Sequence, residues 1–314
     1  MEKTIRIGTR DSELALWQAN TVKSKLEKLG YQTQLLPVKS QGDLILDKPL
    51  YEMGITGIFT KTLDMAMING VVDIAVHSMK DVPTLLPRGI VQTAVLERAT
   101  SKDILVTETE IDFEKVCTIA TGSRRRQAQW LHRYPNHKHV DLRGNVNTRL
   151  QKLKDNKWEG AIFAKAGLER LGFVNEDNIN SPSFGGVGED LDWMIPAPAQ
   201  GAMVIVAMEN DKYSIEATSK LNHSASEICT HIEREFLNIL EGGCTAPIGA
   251  FAEIVEDKVL FKGCLFSLDG KEMLEVEKSI STVEYKGFGK QCATEILKNG
   301  GKELMTKIKI LTGK

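Results

Sequence analysis

Residues 73–83 read DIAVHSMKDVP. Asp73–Val76 has the composition of a short buried strand, and the chain turns polar immediately afterwards at His77, Ser78, Lys80 and Asp81. A buried strand that ends in charged and hydroxyl side chains points to an open α/β sheet, where ligands bind beyond the carboxyl ends of the strands.

The same rhythm of short apolar run, polar turn and helical pattern extends to both sides. Upstream, Thr4–Ile7 reads as a strand, and Asp11 or Ser12 can cap a helix with apolar positions Leu14, Trp17, Val22 and Leu26, ended by Gly30. Thr33–Val38 reads as a second strand, and Thr60–Asn69 as a helix with Leu63, Ala66 and Met67 on one face. Downstream, after a boundary near Arg98–Lys102, strands are expected at Thr118–Thr121, Val140–Leu142 and Ala161–Ala164. Helical patterns follow them at Gln127–Tyr134, Val146–Asn156 and up to Leu171. Strands alternating with helices predict mostly parallel sheets covered on both faces. Residues 172–198 read as loop, and Ala202–Met208 as a buried strand returning to the first sheet, so the chain should cross between two lobes near Arg98 and Ala199.

The last third changes character. Ser214–Leu240 is helical in pattern. Strands are expected at Ile248–Val255, Val259–Phe266 and Glu272–Ile280, with a hairpin signal at Asp269-Gly270, and two further helices at Val283–Leu297 and Lys302–Leu311. That order predicts a small α+β domain with an antiparallel sheet. The expected division is residues 1–98 with 200–213, then 99–199, then 214–314, which suits 314 residues at about 100–200 per domain.

A formal net charge of −2 argues against general binding to nucleic acid or an acidic membrane, so any anion site must come from local clustering of positive charge. The five cysteines, Cys117, Cys229, Cys244, Cys264 and Cys292, form no CxxC pair and show no metal-ligand spacing with histidine, so no metal is expected and a reducing compartment is. The start, MEKTIRIGTR, has no apolar signal core, and no apolar run is long enough to span a bilayer. The expectation is a cytoplasmic monomer.

Clustered positive charge is found at the strand exits. The first carries Thr9, Arg10 and Ser12, and the 73–76 strand is followed by Lys80 and Asp81. Beyond Thr121 come Ser123, Arg124, Arg125 and Arg126, and beyond Leu142 come Arg143, Asn145 and Arg149. Arg170 follows the last of these helices. Arginine offers a planar fork that grips a carboxylate bidentately, and helix N-termini at the same places add N–H donors. The ligand this describes is anionic at several points; the alternative for Arg124–Arg126 taken alone is a solvated basic helix face. Asp81 is the odd charge in this setting. It could stabilise a cationic intermediate or hold a substrate N–H, or it could form an ordinary salt bridge to Lys80 or Arg10. Cys244, in LEGGCTAPIG (240–249), follows two glycines that let other groups approach the backbone, which suits a modifiable thiol, whereas a lone cysteine is more often a small buried hydrophobe.

Together TRDSELALWQA (9–19), GDLILDKPL (42–50), DIAVHSMKDVP (73–83), SRRRQ (123–127), LRGNVNTRL (142–150), AGLERLG (166–172), PAQGAM (198–203) and LEGGCTAPIG (240–249) resemble the porphobilinogen deaminases, also called hydroxymethylbilane synthases. The resemblance implies two lobes like those of periplasmic binding proteins plus the C-terminal α+β domain. It implies a transferase of tetrapyrrole and heme biosynthesis with a dipyrromethane cofactor joined by a thioether to Cys244. Four porphobilinogens add in turn, each losing ammonia to give an azafulvenium cation, and hydrolysis releases hydroxymethylbilane. By the same resemblance Asp81 is catalytic, hydrogen-bonding pyrrole nitrogens and stabilising the positive charge. Ser12, Ser78, Lys80, Asp81, Thr121, Ser123, Arg125, Arg126, Arg143, Gly144 and Asn145 hold the cofactor. Arg10, Ser12, Arg143, Arg149, Arg170 and Gln200 bind substrate. One stretch departs from the pattern: in YEMGITGIFTKTLD (51–64) Glu52 and Thr56 stand where relatives often carry lysine and Thr62 where they carry glutamate, while Lys61 is kept. Arg124 stands where leucine is common. Two other readings remain open here: a non-catalytic anion-binding module of periplasmic-binding-protein type, which would need neither Cys244 nor a third domain, and an impaired paralogue.

Overall fold

The computed structural model describes residues 3–38, 60–175, 178–180, 184–240 and 246–313. They divide into two compact units: unit 1 holds the described residues of 1–38, 60–99 and 201–228, and unit 2 those of 100–200 and 229–313. The chain thus leaves unit 1 after Ala99 and returns at Gly201.

Unit 1 starts with β1 (Ile5–Thr9), α1 (Glu13–Lys28) and β2 (Thr33–Pro37), with β1 and β2 parallel in register from Ile5↔Thr33 to Thr9↔Pro37. α2 (Lys61–Ile68) leads into β3 (Ile74–Ser78), parallel to β1; β4 (Ile90–Val95) follows. Ser12 caps α1 by accepting from the Ala15 N–H at 3.4 Å. The buried face of α1 is Ala15, Gln18, Ala19, Val22 and Leu26, whereas Leu14 is half-buried and Trp17 exposed. The helical stripe therefore runs through the alanines beside the expected large residues, because the close approach to the sheet favours small side chains.

Unit 2 begins with β5 (Asp103–Thr107), β6 (Thr118–Ala120) and α3 (Arg124–Arg133), then β7 (Lys138–Val140), α4 (Val146–Asp155), β8 (Gly160–Ala164) and α5 (Lys165–Arg170). Three short strands follow, β9 (Val174–Asn175), β10 (Asn178–Asn180) and β11 (Gly185–Asp190). Among the described residues the sheet order is β7-β6-β8-β5-β11-β10-β9. The neighbours β7, β6 and β8 are parallel, and every pairing from β8–β5 outward is antiparallel. Residues 172–198 are thus not simply loop: their glycines and asparagines hide strands whose apolar contact rests on single residues such as Val174 and Ile179.

β12 (Met203–Met208) inserts between β3 and β4 in the first sheet, antiparallel to both, giving the order β2-β1-β3-β12-β4. The expected return of this strand is met. Its core joins Ile5, Ile7, Val22 and Leu26 to Ile74, Val76 and Ile205. α6 (Lys212–Ser219) and α7 (Ser224–Ile239) replace the single helix expected over 214–240. The break lies at Lys220–His223, where the His223 N–H donates to Val95 O.

The C-terminal part of unit 2 is an antiparallel meander of β13 (Ile248–Val255), β14 (Lys258–Phe266) and β15 (Met273–Ser281), followed by α8 (Phe288–Ile296) and α9 (Lys302–Thr312). Gly270, at φ +74°, makes the β14–β15 turn. A Cβ there would lie 2.5 Å from Ala128 O, so α3 packs against this turn at a distance only glycine allows. The fold class is α/β with two parallel-containing sheets and a smaller C-terminal antiparallel sheet.

Candidate active site

In unit 1, parallel pairing of β1 with β3 puts both carboxyl-terminal exits at one end of the sheet. The first exit is built by Thr9, fully buried, whose hydroxyl donates to Ala15 O at 3.0 Å, so the turn through half-buried Arg10 to the Ser12 cap is held from inside. The second exit is pinned to α1 by Gln18, whose amide donates to Ser78 Oγ at 2.8 Å. A single 3₁₀ turn, Met79–Asp81, then points the chain outward by burying Met79 and leaving Lys80 half-buried and Asp81 exposed. Among the described residues the Asp81 carboxylate has no hydrogen bond or ion pair, so the salt bridge to Lys80 or Arg10 is not formed. Behind it His77 is buried with no hydrogen-bond partner for Nε2, and burial, then the Arg10 charge, push its pKa down to about 4. It is a neutral imidazole at neutral pH.

In unit 2, β6 and β7 run parallel, so Thr121–Ser123 and Leu142–Asn145 emerge side by side. Thr121 is buried and its hydroxyl accepts from the Ser123 N–H at 3.3 Å; Gln127 donates to Thr121 O at 2.9 Å. Gly122 has no room for a side chain, since a Cβ would meet Leu142 O at 2.8 Å. Asn145 caps α4 by accepting from Thr148 N at 2.9 Å, and Arg149 Nε donates to Gly144 O at 2.8 Å. Gly144 adopts φ +116°, a conformation open mainly to glycine. Arg143 is buried, and burial lowers its pKa against the pull of Asp141. Burial also holds the Arg170 guanidinium, at the end of α5, down to about 10.

Three expected ligand-binding residues turn inward. Arg125 Nη2 lies 2.7 Å from Asp103 Oδ2, Arg126 donates to Asp103 Oδ1 from Nε at 3.0 Å and Nη2 at 2.7 Å, and the Gln200 amide donates to Asp103 Oδ1 at 2.8 Å. Burial pushes the Asp103 carboxyl up, but the two guanidiniums and Gln200 outweigh it and hold it at about 2. Asp103 was not anticipated, because a lone acid at the head of the apolar run DILVT looks like a strand boundary and β5 is not followed by a helix. Arg234 on α7, held down to about 10 by burial, was likewise unforeseen.

Cys244, Glu52 and Thr56 lie outside the described residues. Lys61 and Thr62 occupy the first turn of α2. The described cysteines, Cys117, Cys229, Cys264 and Cys292, are buried, and burial pushes Cys264 up to about 12, so it carries no reactive thiolate. A separate pocket of ≈ 230 Å³ in unit 2 is lined by Gln129, His132, Trp193, Lys262 and Glu275 among others. Several of its polar groups are already committed: Gln129 to both backbone groups of Ile195, His132 Nδ1 to Gly270 O, and Lys262 to Glu275. Its chemistry is not that of the exits.

Solved structures with partial likeness include the methionine-binding protein MetQ (TM-score 0.43, 12% identity, 69% of this chain and 89% of that one) and a periplasmic substrate-binding protein from Coxiella burnetii (TM-score 0.41, 14% identity, 69% and 91%). Among curated proteins, the porphobilinogen deaminase of a Nitratiruptor species is 40% identical over 314 residues, spanning 99% of this chain and 98% of that protein. Those of Campylobacter hominis (39%; 96% and 97%) and Geotalea uraniireducens (40%; 98% and 95%) are similar. The family model described as porphobilinogen deaminase, dipyromethane cofactor binding domain, matches residues 5–216, and the model of the family's C-terminal domain matches 227–298. With most of its length covered twice over, by family models and by full-length relatives, this chain belongs to the porphobilinogen deaminase family.

Proposed function

We propose that this chain is a hydroxymethylbilane-forming transferase. It condenses four porphobilinogens head to tail with loss of ammonia on a dipyrromethane primer, then releases the linear product by hydrolysis. The observation that carries the reading is Asp81, an exposed carboxylate with no partner of its own among the described residues, set at a strand exit next to cationic side chains.

The donor set fits a dipyrromethane. Each pyrrole of such a group bears two carboxylates, and Arg125 Nε is buried without a hydrogen-bond acceptor. Cys244 would hold the group by a thioether. Ser12, Ser78, Lys80, Thr121, Ser123, Arg125, Arg126, Arg143, Gly144 and Asn145 would bind its carboxylates and backbone-facing edges. When bound, this group supplies the nucleophilic pyrrole carbon from which the chain grows. Asp81 accepts hydrogen bonds from pyrrole N–H groups and offsets the positive charge that develops as ammonia leaves. Arg10, Arg143, Arg149 and Arg170 grip substrate carboxylates, each charge-assisted bond fixing orientation as well as adding affinity. Gln200 is buried with its amide on Asp103.

For the three-domain division at 1–98 with 200–213, 99–199 and 214–314, the gap between the two family models and the third sheet support the last boundary, and the passage out of unit 1 after Ala99 supports the first. Among the described residues no helix is long and apolar enough to cross a membrane. A monomer in the cytoplasm is the reading that agrees with this and with the scattered unpaired cysteines.

Intact mass spectrometry tests the proposal. Protein from a host that makes porphobilinogen should carry the mass of two pyrrole units, and Cys244→Ala should lack it. Unmodified wild-type protein would sink the reading.

A further inference from the structure

Asp103 is fully buried and stands where the chain has just entered unit 2, four residues after Ala99. Its Oδ1 accepts from Arg126 and Gln200, Arg125 Nη2 forms an ion pair with its Oδ2 at 2.7 Å, and Gln200 is the last residue before the chain leaves unit 2. The Gln200 amide also donates to Ser101 O at 2.8 Å, so the two connecting segments are tied together inside unit 2. Each arginine has a second anchor: Arg125 Nη1 donates to Ile195 O and Arg126 Nη1 to Ile162 O, both at 2.8 Å. Two cations share one anion here, which leaves one positive charge unbalanced in a nearly dry place. Arg125 Nε, buried without an acceptor, belongs to that excess.

We propose that Asp103 is a positioning residue of the carboxylate-binding site: it locks Arg125, Arg126 and Gln200 into one arrangement that presents a single uncompensated positive charge to a ligand carboxylate. This rests on the reading of Arg125 and Arg126 as ligand-binding arginines. Asp103 itself touches neither primer nor substrate. Its effect is geometric, since a guanidinium held at two points loses no side-chain freedom when its remaining donors take up a ligand. A residue that merely neutralised charge would act in the opposite direction, because removing it would make the site more positive and tighten anion binding.

The test uses full-length protein from a host that makes porphobilinogen. Wild-type protein is first checked for the two-pyrrole adduct, and its absence would count against the functional reading rather than against Asp103. In Asp103→Asn the positioning role predicts a lower loaded fraction by intact mass. In that loaded fraction KM for porphobilinogen should rise about tenfold or more, with a smaller change in kcat, because Asp81 is untouched. Full loading with an unchanged or lowered KM would overturn the proposal. If Asp103→Asn does not fold, wild-type protein decides by ¹⁵N NMR. The Arg126 Nε–H, assigned by its loss in Arg126→Lys, should exchange with solvent far more slowly than those of exposed arginines. Exchange as fast as theirs would show the guanidinium is not held and would equally overturn the proposal.

Discussion

Asp81 and Asp103 show how differently one residue type can be used. Asp81 is exposed and free of partners among the described residues, whereas Asp103 is fully buried between two guanidiniums. A short carboxylate at a strand exit can meet a ligand; one at a strand head, beneath a helix of arginines, can only organise its neighbours. In Asp81→Asn the fold and the covalent adduct should survive while turnover falls by about two to three orders of magnitude, since a neutral amide cannot offset a cation. Circular dichroism, intact mass and product absorbance check the three parts. Turnover near wild type would remove Asp81 from the chemistry. The motif containing Asp81 was legible from residues 73–83 alone. Asp103 was not, because its importance comes from Arg125, Arg126 and Gln200, which the fold brings to it from distant parts of the sequence.

At the level of elements, the exits depend on parallel strands ending together. Gly122 lets the β6 exit pass the β7 exit, for a Cβ there would sit 2.8 Å from Leu142 O, a backbone atom that cannot swing away. Gly122→Ala should therefore lower stability by about 1–3 kcal/mol and raise KM more than it lowers kcat, because it shifts Thr121–Ser123 relative to Arg143. Thermal unfolding and steady-state kinetics measure both, and an unchanged Tm with unchanged KM would contradict the close packing. The βα rhythm made β1, β3, β6 and β8 readable, since each apolar run is followed by a helix or a polar turn; β7 lies at Lys138–Val140, ahead of the expected Val140–Leu142, because pairing with β6 and not apolar content sets it. β4, β5 and β9–β11 escaped because they lack a following helix, or because their runs are broken by Gly and Asn and become strands only by pairing with neighbours.

For the whole molecule, charge and burial oppose each other. The chain carries a formal net charge of −2, yet its strand exits are cationic, so any attraction of a polycarboxylate must be local. Raising ionic strength from about 0.05 to 0.5 M shortens the screening length to a few ångströms, and kcat/KM should fall several-fold with kcat less affected. Insensitivity to salt would argue against the arginine row as the substrate's holder. Acid sensitivity follows from His77, whose pKa falls from 6.5 to about 4 on folding. Below pH 6.5 the unfolded chain binds this proton and the folded one does not, so stability should drop as pH falls from 6.5 toward 4. Between about pH 7.5 and 5 the loss is about 2 kcal/mol. Asp103 works in a lower window: its folded value of about 2 against 3.8 means its contribution is full above pH 3.8 and disappears as pH falls through 2. Urea unfolding of wild type and His77→Gln at the two pH values checks this, with a shallower drop expected in the variant. Equal drops would show that His77 does not carry the effect.

Local chemistry was readable without coordinates: which strands end in charge, that such exits suit a multiply anionic ligand, that Asp81 is the odd carboxylate among cationic side chains, and that Cys244 follows two glycines. These follow from composition and period along a few neighbouring residues, which the linear chain displays directly. Tertiary structure alone decided which arginines are held from behind, that Gln200 and Asp103 join two connecting segments, and that β12 lies between β3 and β4. Those relations are long-range pairings, and their partners are chosen by burial and hydrogen-bond satisfaction across the fold, which no local pattern records.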